Sequence, residues 1–110
     1  MDKNALLIIT TAPDDEIAEK IAHALVSPGL AACVNILPGM RSIYKWRGEL
    51  QRGDEQLLLI KAQQSAYAAI EKEIEALHPY ELPEIIAVSI EAGLPAYLDW
   101  IGGRMPTESR

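Results

Sequence analysis

Three observations in this 110-residue sequence predict an α+β fold, a ferredoxin-like βαββαβ two-layer sandwich with a short C-terminal helix. Strand-like and helix-like segments alternate in the order of the split βαβ pattern, and a last helical stretch follows them. The strand-like segments are apolar runs bounded by Pro and Gly, whereas the helix-like ones repeat apolar residues every third or fourth position. No linker or low-complexity stretch divides the chain, so one domain is expected over residues 1–110, with its core at about 5–102 and a loose tail over 103–110. A compact chain of this length has a radius of gyration of roughly 13 Å.

The first strand is Leu6–Thr11, closed by Ala12-Pro13. Pro13 suits the first turn of the helix that follows, and Asp14, Asp15 and Glu16 place negative charge at its positive end. Ile17, Ile21 and Leu25, with Ala18 and Ala22 beside them, give that helix one buried face. Ser27-Pro28-Gly29 stops it. A strand over Leu30–Leu37 is then expected to break at Pro38-Gly39 and to resume through Ser42–Trp46. Arg47-Gly48 is a hairpin tip, since glycine readily supplies positive φ. The return strand runs over Leu50–Ala62, with an irregularity expected at Gly53. Ser65 is the expected N-cap of the second helix, whose buried stripe is Tyr67, Ile70, Ile74 and Leu77. His78-Pro79 ends this helix, because proline disfavours α geometry in the residue before it. A fourth strand over about Glu84–Glu91 and a terminal helix carrying Tyr97, Leu98, Trp100 and Ile101 complete the order.

A sheet with helices on one face only normally shows period-two alternation, apolar inward and polar outward. Leu6–Ile9, Leu57–Ile60 and Ile85–Val88 are instead apolar on both faces. Left in water, the second face would far exceed the ~400 Å² apolar patch tolerated on a soluble monomer. Coverage by other copies of the chain is therefore expected.

Composition narrows the function. Sixteen acidic against ten basic residues give a net charge of −6, and no basic stripe exists to neutralise phosphates, so nucleic-acid binding is excluded. The longest uncharged stretch, Leu25–Met40, is broken by two Pro-Gly pairs and cannot span a membrane as one helix. The apolar run Ala5–Ile9 is too short for a secretory leader and follows Asp2, and the single Cys33 cannot form an intramolecular disulfide; a cytoplasmic location is expected.

Chemistry-bearing groups are sparse. His23, His78, Cys33 and the methionines show no metal-ligand spacing, and Glu19 with His23 reads as a solvated pair in preference to a surface chelate. Cys33 sits in an apolar strand, where a thiol is ordinarily buried and inert. The loop His78-Pro79-Tyr80-Glu81-Leu82-Pro83-Glu84 collects an imidazole, a phenol and carboxylates between prolines; it is either a ligand or metal pocket or a helix stop with His78 at the helix dipole. Tyr44 and Trp46 share a strand face and can stack a ligand or pack on another subunit. Glu55 and Lys61 flank the Leu57–Ile60 run as strand-end charges, Lys61 being able to reach an anion at a subunit boundary. No nucleophile–base pair, Gly-x-Ser-x-Gly elbow or phosphate loop occurs, and the acidic first strand–helix turn repels phosphate, so no enzyme is expected.

Five segments, Thr11–Asp14, Ala31–Asn35, Ser42–Gly48, His78–Pro83 and Tyr97–Ile101, stand in an order and spacing that resembles the CutA divalent-cation tolerance family, from about Leu6 to Ile101. The resemblance implies a trimer similar in shape to the PII signalling proteins, with long hairpins joining sheets between subunits. It implies a cytoplasmic bacterial role in tolerance to divalent metals, copper foremost. Copper-binding members carry a cysteine at the end of the first strand and two adjacent histidines before the loop Pro-Tyr. The corresponding positions here are Thr10, Leu77 and His78, so one of three ligands is kept. Two expectations follow. One is a metal-responsive protein that requires no cofactor and holds Cu(II) or another divalent cation at His78 with Glu81. The other is a PII-like sensor or scaffold that binds a small ligand or a protein partner between subunits, near Tyr44, Trp46, Glu55, Lys61 and Tyr80.

Overall fold

A computed structural model describes residues 5–104. The strands are β1 (Ala5–Ala12), β2 (Cys33–Trp46), β3 (Glu49–Gln63) and β4 (Ile85–Ser89); the helices are α1 (Asp15–Val26), α2 (Tyr67–Leu77) and α3 (Pro95–Ile101). The strands form one sheet in the order β2-β3-β1-β4, with every neighbouring pair antiparallel. That is the arrangement expected of the split βαβ order, and α1 and α2 pack together on one face of the sheet.

The core lies between those helices and that face. Leu6 and Ile8 of β1, with Leu58, Ile60 and Ala62 of β3, meet Ala18, Ile21 and Leu25 of α1 and Ile70 and Ile74 of α2. Each fully buried Ile or Leu contributes about 1.5–3 kcal/mol relative to exposure. The opposite sheet face is also apolar: Leu7, Ile9, Leu57 and Leu59 are half-buried, and Ile86 and Val88 on edge strand β4 are half-exposed.

Several local details differ from the sequence-based expectation. Pro13 precedes α1 rather than entering it; Asp14 is the N-cap, and its carboxylate accepts from the Ile17 N–H at 2.9 Å. Ser65 does not cap α2, because Gln64–Ala66 already form a 3₁₀ turn that leads into the helix through Ala66. The irregularity in the hairpin lies at Pro38-Gly39, not at Gly53, which pairs regularly with Ser42. There β2 bulges and does not break: Leu37 pairs with Leu57 and Met40 with Glu55, so β2 carries one extra residue. An edge strand tolerates the missing Pro38 N–H, and Gly39 takes the required positive φ of 79°. Leu30–Ala32 lie before β2, Ala31 N–H closing the end of α1 on Leu25 O at 3.0 Å. The fourth strand is shorter than expected.

The hairpin dominates the shape. β1 stops pairing with β3 at Gln56, so Met40–Trp46 and Glu49–Glu55 run on as a two-stranded ribbon. The molecule measures 51 × 26 × 24 Å, and its radius of gyration is 15.0 Å, above the value expected for a compact chain. At the other end, Gln63 Nε2 donates to Gly102 O at 3.1 Å and Arg104 pairs with Asp99 at 2.9 Å. The loose tail expected from residue 103 falls, from 105 onward, outside the described residues. Among the described residues, no helix is long and apolar enough to cross a membrane.

Candidate functional site

The end of β1, the base of the ribbon and the loop after α2 meet at one place. α2 ends at His78, whose N–H bonds Ile74 O at 2.9 Å before Pro79 turns the chain out. The loop is then tied to β1 twice. Thr10 Oγ1 donates to Glu84 O at 2.6 Å, and His78 Nε2 bonds Thr11 O at 2.7 Å. Tyr80 N–H donates to His78 Nδ1 at 3.2 Å, which leaves the ring hydrogen on Nε2 and makes Nε2 the donor to Thr11 O. The Tyr80 ring packs against the imidazole with centroids 4.6 Å apart.

These ties aim the Tyr80 hydroxyl at Glu55. The register of β1 on β3 sets Thr11 opposite Leu57, two residues from Glu55 and on the same sheet face. Glu55 Oε2 accepts from Tyr80 Oη at 3.0 Å and from Thr11 Oγ1 at 3.2 Å. Among the described residues nothing donates to Oε1. Glu55 is only 9% exposed. Burial, then the hydrogen bond to Glu55, then that carboxylate's charge push the Tyr80 phenol up to about 12 from 10.0.

Above this group opens a cleft of about 740 Å³, a volume typical of small-molecule sites. Thr11 and Glu55 lie at its floor; Ser42–Trp46 of β2 form one wall and Tyr80, Glu81, Leu82 and Glu84 the other. At the rim, Arg47 donates to Glu81 Oε1 and Oε2 at 3.0 and 3.3 Å, with its guanidinium carbon 5.4 Å from the Trp46 ring centroid.

The structure thus gathers Tyr44, Trp46, Glu55 and Tyr80 around one cavity and leaves Lys61 outside it. Lys61 lies six residues further along β3, roughly 20 Å away at strand spacing. Its ammonium bonds Asn35 Oδ1 at 2.5 Å, across from Cys33. His78 and Glu81 have separate partners, the imidazole bonded through both nitrogens and Glu81 paired with Arg47. A metal ion on His78 would have to displace the Thr11 carbonyl or the Tyr80 N–H. Thr10 and Leu77, at the other two implied ligand positions, are a wholly buried hydroxyl bonded to Glu84 O and a side chain packed against the core. Among the described residues, no three His, Cys, Asp or Glu side chains converge as a metal site. Glu84, a carboxylate of the loop expected to form a pocket, also lines the cleft, as do Thr11 and Lys45, which the sequence does not mark as individual binding residues. Only the place of Thr11, at the end of an apolar run beside Ala12-Pro13, hinted at its position.

Comparison with known proteins adds a lineage. The family model described as CutA1 divalent ion tolerance protein matches residues 6–104. The Divalent-cation tolerance protein CutA of Thermus thermophilus is 47% identical over 95 residues, which cover 86% of this chain and 92% of that protein. The crystal structure of CutA from Xylella fastidiosa superimposes with a TM-score of 0.89 at 45% identity, covering 94% of this chain and 99% of that one. A relative from Arabidopsis thaliana, named Protein CutA, chloroplastic, is 40% identical over 88% of this chain and 53% of its own. The chain spans about half the length of several animal and plant relatives it matches.

Proposed function

The chain belongs to the CutA1 divalent ion tolerance family, and from that premise we propose that it serves divalent-cation tolerance as a trimeric, non-catalytic sensor or scaffold. Its ligand is taken up in the cleft between the hairpin and the loop 78–84. The observation that carries this is the hydrogen-bonded group of Thr11, Glu55 and Tyr80 at the floor of a cavity walled by aromatic residues. A buried polar group beneath an open cleft with aromatic walls orients a ligand. Trimerisation is supported by the ribbon, since an isolated two-stranded hairpin is marginal in water, and by the apolar outer face of the sheet. Cytoplasmic residence, part of the same proposal, rests on the free Cys33.

Direct copper handling through His78 and Glu81 is the competing outcome, and one pair of measurements separates the two. Metal-stripped protein is titrated with Cu(II) by calorimetry beside His78→Ala, and small molecules are screened by thermal shift beside Tyr44→Ala. Stabilisation beyond that of added salt, lost in Tyr44→Ala, with no copper binding tighter than the millimolar range, is expected. Saturable copper binding abolished by His78→Ala, with no cleft-dependent shift in the screen, overturns the proposal in favour of a metal site.

A further inference from the structure

The charges and rings around the cleft define a ligand class. Glu55 is nine-tenths buried, and both of its hydrogen bonds arrive at Oε2, so Oε1 keeps its acceptor capacity. A second carboxylate, Glu84, lines the same cavity and makes no ion pair among the described residues. Lys45 is the one cation among the described lining residues, and it stands on an exposed part of β2. Tyr44, Trp46 and Tyr80 add electron-rich ring faces, which attract a positive charge. The rim already holds such a charge: the Arg47 guanidinium sits between the Glu81 carboxylate and the Trp46 ring.

Resting on the cleft being the binding site proposed above, we infer that it takes a small organic cation, an ammonium or guanidinium on an apolar body. The charged head bonds Glu55 Oε1, and the body lies among Tyr44, Trp46 and Tyr80. An anion would meet a buried carboxylate whose free oxygen repels it. A bare divalent ion would find no converging set of three ligands among the described residues. An ammonium needs only acceptors and ring faces, and both are present.

Three probes of nearly one shape and different charge test this at neutral pH: benzylamine, benzyl alcohol and benzoate. Each is titrated by calorimetry while the Trp46 indole and Tyr80 amide resonances report where it binds. Benzylamine is expected to bind about tenfold more tightly than benzyl alcohol, and benzoate more weakly than either. Glu55→Gln should remove the advantage of benzylamine. Lys45→Gln, an exposed substitution that leaves the core untouched, should tighten benzylamine about two- to threefold and keeps the test decisive if the buried variant fails to fold. Equal or tighter binding of benzyl alcohol or benzoate, with the same resonances moving, overturns the cation assignment and leaves the cleft as a ligand site. If no probe moves those resonances in the millimolar range, both the assignment and the cleft as a site for small molecules fail.

Discussion

Glu55 and Tyr80 are joined by a hydrogen bond of 3.0 Å at the floor of the cleft. The carboxylate is almost fully buried and carries two hydroxyl donors, and the phenol is raised first by its own burial, then by the hydrogen bond to Glu55 and by the negative charge of that carboxylate. The sign of the pH dependence follows. A phenol whose folded pKa of about 12 lies above its ordinary 10.0 contributes stability that is complete below pH 10 and is lost as pH rises through 12. The melting temperature of the wild type should therefore fall over that window by more than that of Tyr80→Phe. Tyr80→Phe itself should cost about 1 kcal/mol at neutral pH, since Glu55 loses one donor. Equal alkaline slopes in the two proteins would show that folding does not raise the Tyr80 phenol. Tyr67 is also raised, by burial and by its bond to Glu71, so the difference between the two proteins is the quantity to read. Thr11 is hard to single out in the sequence because Thr10 beside it carries the same side chain. One hydroxyl faces the cleft and the other the loop carbonyl, and the strand's period of two separates them only once its register is known.

At the level of elements, the hairpin was legible because its turn chemistry is local. Arg47 and Gly48 both have positive φ, 54° and 82°, which is the mirror-image turn that matches the twist of paired strands. A Cβ at Gly48 would meet nothing within 4 Å, so the obstacle to a side chain there is backbone conformation and not space. Gly48→Ala should cost about 1 kcal/mol in denaturant unfolding. A cost near zero would mean that the ribbon contributes little to the cooperative unit. Pro38-Gly39 suggests a break because both residues interrupt strands; it is a bulge because β2 is an edge strand and β3 pairs with it on either side. Ser65 looked like a cap for an equally local reason, and the 3₁₀ turn that begins one residue earlier displaced it.

For the whole molecule, the ribbon and the apolar outer sheet face point the same way. The chain is 51 Å long, with a two-stranded extension and an apolar second face, and the proposed trimer would cover that surface. Light scattering should give about three times the 12.1 kDa chain mass. Ile86, half-exposed on β4 and paired with Ile9 on the outer face, is the position to challenge. Ile86→Asp should lower the mass toward that of one chain, because a carboxylate cannot be buried there without a partner. An unchanged mass would place the subunit contact elsewhere.

The sequence by itself determined the order of elements, the hairpin tip, the core stripes of both helices and the two-sided apolar strands. These depend on periodicity and on backbone preferences, which neighbouring residues along the chain impose. Only the tertiary structure decided which polar residues act together. Thr11, Glu55 and Tyr80 are joined by strand register and by a loop that crosses back over the sheet, and Lys61, on the same strand as Glu55, is carried away by the same geometry. Only the tertiary structure likewise shows that His78 ties the loop to β1, through partners two and 67 residues away in the chain.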